Sequence, residues 1–441
     1  MSFPRPFRDR TPRGPHLGLA ILIVAPALAA AIVGGSFLMA RQLSGEPNVM
    51  TLSSGSAGPG AAAASETTAI DQIASQVASL RGLGWLHPPK VEVVLQPELV
   101  SHYRQASASE WDPVRLSHQA AMLKLLHLIP AEADYAQTLH GATEADVRGF
   151  YDSQAKAIFV GATGTGELRP ETRMALAHEL DHALTDQHFD FGRRQDALDR
   201  ADAQDELLAL DSLVEGDAVL LQNRWMAKYM TDAEQVLALF GAPASSESSG
   251  AVLPFLDDQS MFPYTAGLRF VERIYNLHGT SGIDLAYRDP PRSTEEILRP
   301  DLYLKGLRGG STPAPILPRP AGCTTIRSGT LGRFLMGELL QQTPQAQGAL
   351  DGWNGDAFAV FACPDGLAMV ELWQADSEDD ASALATALSS SWSRAWSGAS
   401  AAPSSVGRFT GRSGAGIIAV RAGEVTLDLA QTPLALDELG P

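Results

Sequence analysis

The stretch AHELDHALTDQHFDF, residues 177 to 191, contains His178, Glu179, His182 and His188, side chains of types that bind metals or move protons. Residues four apart share one face of a helix, so His178 and His182 can present two imidazoles to a single ion. Glu179 follows the first of them and falls beside that ion, where it can hold a water and take its proton. Zn2+ lowers the pKa of a water bound to it from about 15.7 toward about 7, so hydroxide becomes available at neutral pH. An ordinary amphipathic helix with two surface histidines reads the same way over five residues. The pattern therefore needs further ligands to carry chemistry.

The stretch LDSLVEGDAVLLQ, residues 210 to 222, sets Glu215 inside an apolar helical pattern of Leu210, Leu213, Val214, Ala218 and Leu221. A carboxylate in such a setting is costly unless it is paired or bound to a metal. A solvated glutamate at the edge of the stripe is the alternative. Gly216 costs about 1 kcal/mol of helix propensity relative to alanine. Close approach of this helix to the histidine helix is the expected compensation.

The elements around these residues are legible in outline. RPETRMALAHELDHALTDQ opens with Pro170 and Glu171, a favourable helix start, and Leu176, Leu180 and Leu184 supply a core stripe. GFYDSQAKAIFVG, residues 149 to 161, reads as a hairpin turning at Asp152 and Ser153, with Lys156 to Val160 as its second strand. VEVVLQ at 91 to 96 is a strand, and IDQIASQVASL and AAMLKLLHLI are helices. In DALDRADAQDE, the residues Asp199, Asp202 and Asp205 recur every three positions and read as a solvated acidic helix face, with a Ca2+ site as the weaker alternative.

At the N-terminus, Leu17 to Ala40 is an uncharged apolar run of 24 residues, long enough to cross a bilayer. Arg5, Arg8, Arg10 and Arg13 precede it and only Arg41 follows closely, which places the N-terminus in the cytoplasm and the bulk of the chain outside. A cleaved signal peptide is the alternative, although the run is long for one. The expected organisation is a cytoplasmic tail at 1–16, a transmembrane helix at 17–40, a flexible linker at 41–66, a domain that carries the zinc motif at 67–311, a proline-rich linker at 312–322 and a small α+β module at 323–441. Of the 441 residues, 45% are apolar, enough for a sizeable core, while a net charge of −18 argues against nucleic acid or anionic lipid as a charge-driven partner. Cys323 and Cys363 are the only cysteines. Outside the cytoplasm they can form a disulfide, and two buried thiols are the alternative.

HELDH followed by VEGDA on a second helix resembles the gluzincin zinc metallopeptidases. The segments GFYD…IFV, AHELDHALTDQHFD, VEGDA and PPRSTEEILRPDLY together are similar to a group of bacterial membrane-anchored proteins assigned as metallopeptidases. The resemblance spans about residues 70 to 310. It implies an α+β, mainly helical zincin-like catalytic domain with a small sheet. It also implies Zn2+ held by His178, His182 and Glu215, with Glu179 as the general base, and peptide or protein substrates. In zincins the strand before the active-site helix often pairs edge-on with extended substrate, a role open to Lys156–Val160, as is that of a plain sheet edge. A donor to the transition state is expected from Tyr264, Arg269 or Tyr275, and Asp217 is a candidate to orient a ligand histidine. Other readings are a catalytically inactive zincin-like binding or scaffolding protein at the cell surface, and a metal-free structural protein.

His188 stands six residues after His182, the spacing of a third histidine in the related metzincins. Its use needs the chain to leave the helix midway, where Thr185 stands, and a β-branched residue is poorly suited to the positive φ required. In an unbroken helix six residues turn by about 600°, which leaves His188 about 120° from the ion. Glu215 needs only a second helix packed across the first. The expectation is that Glu215 completes the set with water in the fourth position, and that His188 packs or hydrogen-bonds at the helix end.

Overall fold

The computed structural model describes residues 59–107, 112–144, 147–162, 168–240, 253–307, 317, 319–341, 346–395, 406–411 and 414–439. The expected tail at 1–16 and transmembrane helix at 17–40 lie outside these residues, as do most of the two expected linkers. Among the described residues no helix is long and apolar enough to cross a membrane.

The chain is α+β and mainly helical. Its first part runs α1 (Pro59–Arg81), β1 (Lys90–Leu95), α2 (Gln96–Ala106), α3 (Pro113–Leu125), α4 (Tyr135–Glu144), β2 (Gly149–Asp152), β3 (Ala157–Ala162), α5 (Pro170–Phe189) and α6 (Phe191–Arg200). There follow α7 (Gln204–Tyr229), α8 (Asp232–Phe240), α9 (Pro254–Arg288), α10 (Thr294–Leu298) and α11 (Pro300–Leu304). The three strands form one sheet in the order β1-β3-β2, with β1 parallel and β2 antiparallel to β3.

Strand alternation explains how that sheet is covered on both faces. Ile158 and Val160 pack with Leu176, Leu180 and Leu184 of α5. Ala157 and Phe159 pack with Phe150 and Leu99, the latter from α2. β3 is therefore the central strand, buried on both faces. This corrects the expectation that Lys156–Val160 offers a sheet edge to substrate: β1 and β2 occupy both of its edges.

α5 begins at Pro170 with Glu171 in its first turn and runs unbroken through Thr185 and His188. Thr185 turns its hydroxyl back onto the Asp181 carbonyl at 2.7 Å, a bond made within the helix. Asp190, in the left-handed region at φ 52°, ends it. α7 lies across α5, and α9 lies against α7. Gly216 does meet a close neighbour, but the neighbour is Gly267 of α9, whose carbonyl carbon would stand 2.4 Å from a Cβ on Gly216. The expected approach to the histidine helix is thus corrected: glycine here serves the α7–α9 crossing.

The acidic face expected from Asp199, Asp202 and Asp205 does not form. The helix breaks after Arg200, Asp202 takes a positive φ of 53°, and the three carboxylates go to different partners. Asp199 pairs with Arg115 and Asp202 with Arg327 at 3.0 Å. Asp205 is buried and accepts from the backbone amide of Thr294 at 3.2 Å and from its hydroxyl. Each fastens a different segment, and no ion is needed to explain them.

The later part runs β4 (Thr324–Gly329), α12 (Gly332–Leu340), α13 (Ala346–Asp351), β5 (Trp353–Cys363), β6 (Gly366–Ala375) and α14 (Glu378–Ala395). It ends with β7 (Val406–Gly411), β8 (Gly414–Arg421), β9 (Glu424–Ala430) and α15 (Pro433–Glu438). Its strands form an antiparallel six-stranded sheet in the order β4-β5-β6-β9-β8-β7. Val360, Met369, Trp373, Leu427 and Leu429 share one apolar cluster with Leu384, Leu388 and Trp392 of α14. The cluster continues through Phe334 of α12 to Leu123, Leu213 and Phe255, so the core is continuous with the first part. Cys323 and Cys363 are joined in a disulfide across the start of β4 and the end of β5.

Candidate metal centre

α5 and α7 carry the two halves of the site. His178 and His182, one turn apart on α5, direct their Nε2 atoms at a single oxygen of Glu215, at 3.1 Å and 3.5 Å respectively. The available ligand atoms of these three residues lie within 4.8 Å of one another. Around an ion with bonds of about 2.0 to 2.1 Å, neighbouring corners of a tetrahedron stand about 3.3 Å apart. The two separations match such an edge, and the N, N, O donor set is one that Zn2+ accepts. The residues present therefore fit the ion that the sequence implies.

Packing holds the imidazoles in place. The Nδ1 atoms of His178 and His182 are buried without a hydrogen-bond partner among the described residues. The His178 ring stacks toward Tyr264 at 6.4 Å and meets His182 edge-on at 4.7 Å, while His182 lies against Phe191 at 6.2 Å. The Glu215 side chain is 22% exposed against 2% for His178, so the site opens to solvent on the glutamate side.

Charge at the site follows from this crowding. Burial would raise the Glu215 carboxyl, but His182 and His178 outweigh it and hold the group far below the ordinary carboxylate range. Burial would lower His182, but the Glu215 and Glu179 carboxylates lift it to about 9. Both shifts are two sides of one attraction, between the carboxylates and the imidazoles that face them.

Glu179 faces the sheet. Gly149 of β2 lets the strand pass close, since a Cβ there would stand 3.7 Å from Glu179 Cγ and 2.9 Å from Val160 Cγ1. Burial raises the Glu179 carboxyl above its ordinary value, the two histidines oppose that, and the Tyr151 backbone amide adds a hydrogen bond that favours its charged form. β2 is thus the edge strand beside the base, although the sequence pointed to its neighbour.

Of the three candidate donors, Tyr264 alone lies at the site. Burial, then Glu215 and Glu179, push its phenol well above the ordinary range, so it stays protonated. Arg269 is exposed, and the Tyr275 ring lies under the Arg224 guanidinium at 4.7 Å. His188 is outside the cluster at the end of α5, where its Nε2 stands 2.7 Å from the Gly84 carbonyl oxygen. Asp217 does not orient a histidine, which corrects that expectation. Two residues beyond Glu215, it turns away by about 200° on the helix and binds the Arg81 Nε at 3.0 Å. Arg81 escaped the sequence reading, and β2 was read as the first strand of a hairpin without its place beside Glu179.

Comparison of the chain with protein-family models, with curated proteins and with solved structures finds no match.

Proposed function

We propose that the protein is a zinc-dependent peptidase, anchored by its N-terminal apolar run with the catalytic part outside the membrane. The observation that carries the reading is the convergence of His178, His182 and Glu215 at separations that suit one tetrahedral ion, with Glu179 next to them. Three protein ligands leave a position open, which is the arrangement of catalytic rather than structural zinc. When bound, Zn2+ acts as a Lewis acid that polarises a carbonyl and makes water acidic.

The chain's own residues supply the rest. Glu179 accepts a proton from the attacking water and returns it to the leaving amine; its burial, by raising its pKa, suits it to both tasks. Tyr264, protonated and beside Glu215, is the hydrogen-bond donor for the charge that develops on the carbonyl oxygen. β2, Gly149–Asp152, ends the small sheet beside Glu179, to which its Tyr151 amide donates, and an extended peptide would run along this strand past Glu179. The Cys323–Cys363 disulfide supports an oxidising compartment for the later part of the chain.

The test is Glu179→Gln, which keeps the shape and removes the proton acceptor. Hydrolysis of a peptide library should fall by about 100-fold or more, with Zn2+ content unchanged. Undiminished hydrolysis by this variant would refute the assignment of the base.

A further inference from the structure

We infer that Arg81 is the positioning residue of the metal centre: its buried guanidinium ties the histidine-bearing helix to the glutamate-bearing helix and thereby sets the separation of the ligands. The inference rests on the reading of His178, His182 and Glu215 as metal ligands.

Arg81 is the last residue of α1 and only 1% exposed. Its Nε donates to Asp217 Oδ2 at 3.0 Å and its Nη1 to Asp284 Oδ1 at 2.7 Å, while Asp181 Oδ1 stands 3.9 Å from Nε. These carboxyls come from three helices. Asp181 belongs to α5 and immediately precedes His182. Asp217 belongs to α7, two residues beyond Glu215. Asp284 belongs to the part of α9 beyond a break at Gly279, where φ is 64°; the part before the break crosses α7 at the Gly216–Gly267 contact. Arg81 thus hydrogen-bonds to α7 two residues from Glu215 and to α9, and reaches α5 beside His182 through the longer contact to Asp181, whose carboxyl oxygens have no hydrogen-bond partner among the described residues. Gly82, at φ 75°, lets the chain turn away at once, where a Cβ would come within 3.6 Å of Thr280 Oγ1.

A buried ion pair is a weak source of stability, because desolvation cancels much of its Coulomb energy, and apolar packing of similar volume often does as well. What a guanidinium adds is fixed geometry: donors in a rigid planar fork hold their acceptors at set distances and angles. A metal centre needs that, since ligand atoms must keep bond lengths within about 0.2 Å. Among the described residues the two imidazoles have no Nδ1 acceptors to steer them, so ligand placement falls to the helices that carry them.

The full-length chain as wild type, Arg81→Lys and Arg81→Met is stripped of metal and reloaded. Zn2+ affinity is read by chelator competition, ligand geometry by the visible absorption of the Co2+ form, and folding by circular dichroism. Arg81→Met should bind Zn2+ about 10- to 100-fold more weakly, the range for lost outer partners of a metal site, with an altered Co2+ spectrum. Arg81→Lys keeps the charge but bridges fewer carboxylates, so it should fall between Arg81→Met and wild type on both readouts. A merely structural arginine would lower the unfolding midpoint and leave the affinity and spectrum of the folded protein alone. That result, in either variant, overturns the inference, and Arg81→Lys decides if Arg81→Met does not fold. A wild-type chain that binds no Zn2+ overturns the metal reading itself, and the inference with it.

Discussion

Gly267→Ala probes whether the α7–α9 crossing holds Glu215 in place. A Cβ on Gly267 would stand 2.1 Å from the Ser212 carbonyl oxygen and 2.9 Å from its carbon, where ordinary contact starts at 3.4 Å. The difference, 3.4 minus 2.1, asks α7 and α9 to part by 1.3 Å at the crossing. Both sides of the clash are backbone, so no side-chain rotation relieves it. Overpacking of this kind costs about 1 to 3 kcal/mol, and the severity of the overlap places it at the upper end. Alanine returns about 1 kcal/mol of helix propensity, leaving a net loss of about 2 kcal/mol. The effect on activity should be larger, because Glu215 adjoins Gly216 and a misplacement of about 1 Å can cost about 100-fold in rate. Chemical denaturation, Zn2+ content and peptide hydrolysis read the three consequences. Gly337→Ala is the control: it lies in α12 with nothing within 4 Å of its Cβ, and should be neutral or stabilising. A Gly267→Ala protein with the stability and Zn2+ content of wild type would show that the two helices are free to part, and the crossing would lose its role.

Glu215→Ala should lose Zn2+ to a mild chelator while His188→Ala keeps it, because only the former faces the two imidazoles; the opposite pattern would return the third-ligand role to His188. Away from the site, burial lifts the Asp205 carboxyl from 3.8 to about 8, against the opposing Thr294 hydrogen bonds, and Asp356 to about 6. A pKa raised by folding stabilises at low pH and loses its contribution as pH climbs toward the folded value. The unfolding midpoint should therefore fall from pH 5 to 8, and Asp205→Asn should flatten the slope; an unchanged slope would place the linkage elsewhere.

What the sequence made legible were features with a local physical signature. Pro170 and Glu171 mark the start of α5, and the four-residue spacing of His178 and His182 puts them on one face. Thr185 foretold an unbroken helix because a β-branched residue resists the conformation that a break requires. Glu215 stood out because a carboxylate among Leu213, Val214 and Ala218 must find a partner. The central position of β3 was also readable in principle: AIFV is a continuous apolar run, the mark of a strand buried on both faces, where a one-sided edge would alternate. The hairpin pattern drew attention to β2 as its partner and hid the parallel pairing with β1, which comes from far upstream.

The features that escaped depend on distant partners for their meaning. Gly216 announces a close approach, yet nothing around it names Gly267 as the partner. Asp199, Asp202 and Asp205 share a spacing that suggests one helix face until Asp202 adopts a positive φ and sends each carboxylate to a separate cation or hydroxyl. Arg81 is one of 33 lysines and arginines, at the end of a helix whose neighbours in sequence are unremarkable. Its burial exists only once α5, α7 and α9 have assembled around it. The ligands of a metal centre can be read from a short motif because the ion demands particular atoms at particular spacing. The groups that hold those ligands apart answer to the packing of whole helices, and many sequences can satisfy that demand. Asp181 and Asp217 were within reach only as two acids beside the ligand motifs; that both are buried and turned toward Arg81 follows from the helix packing.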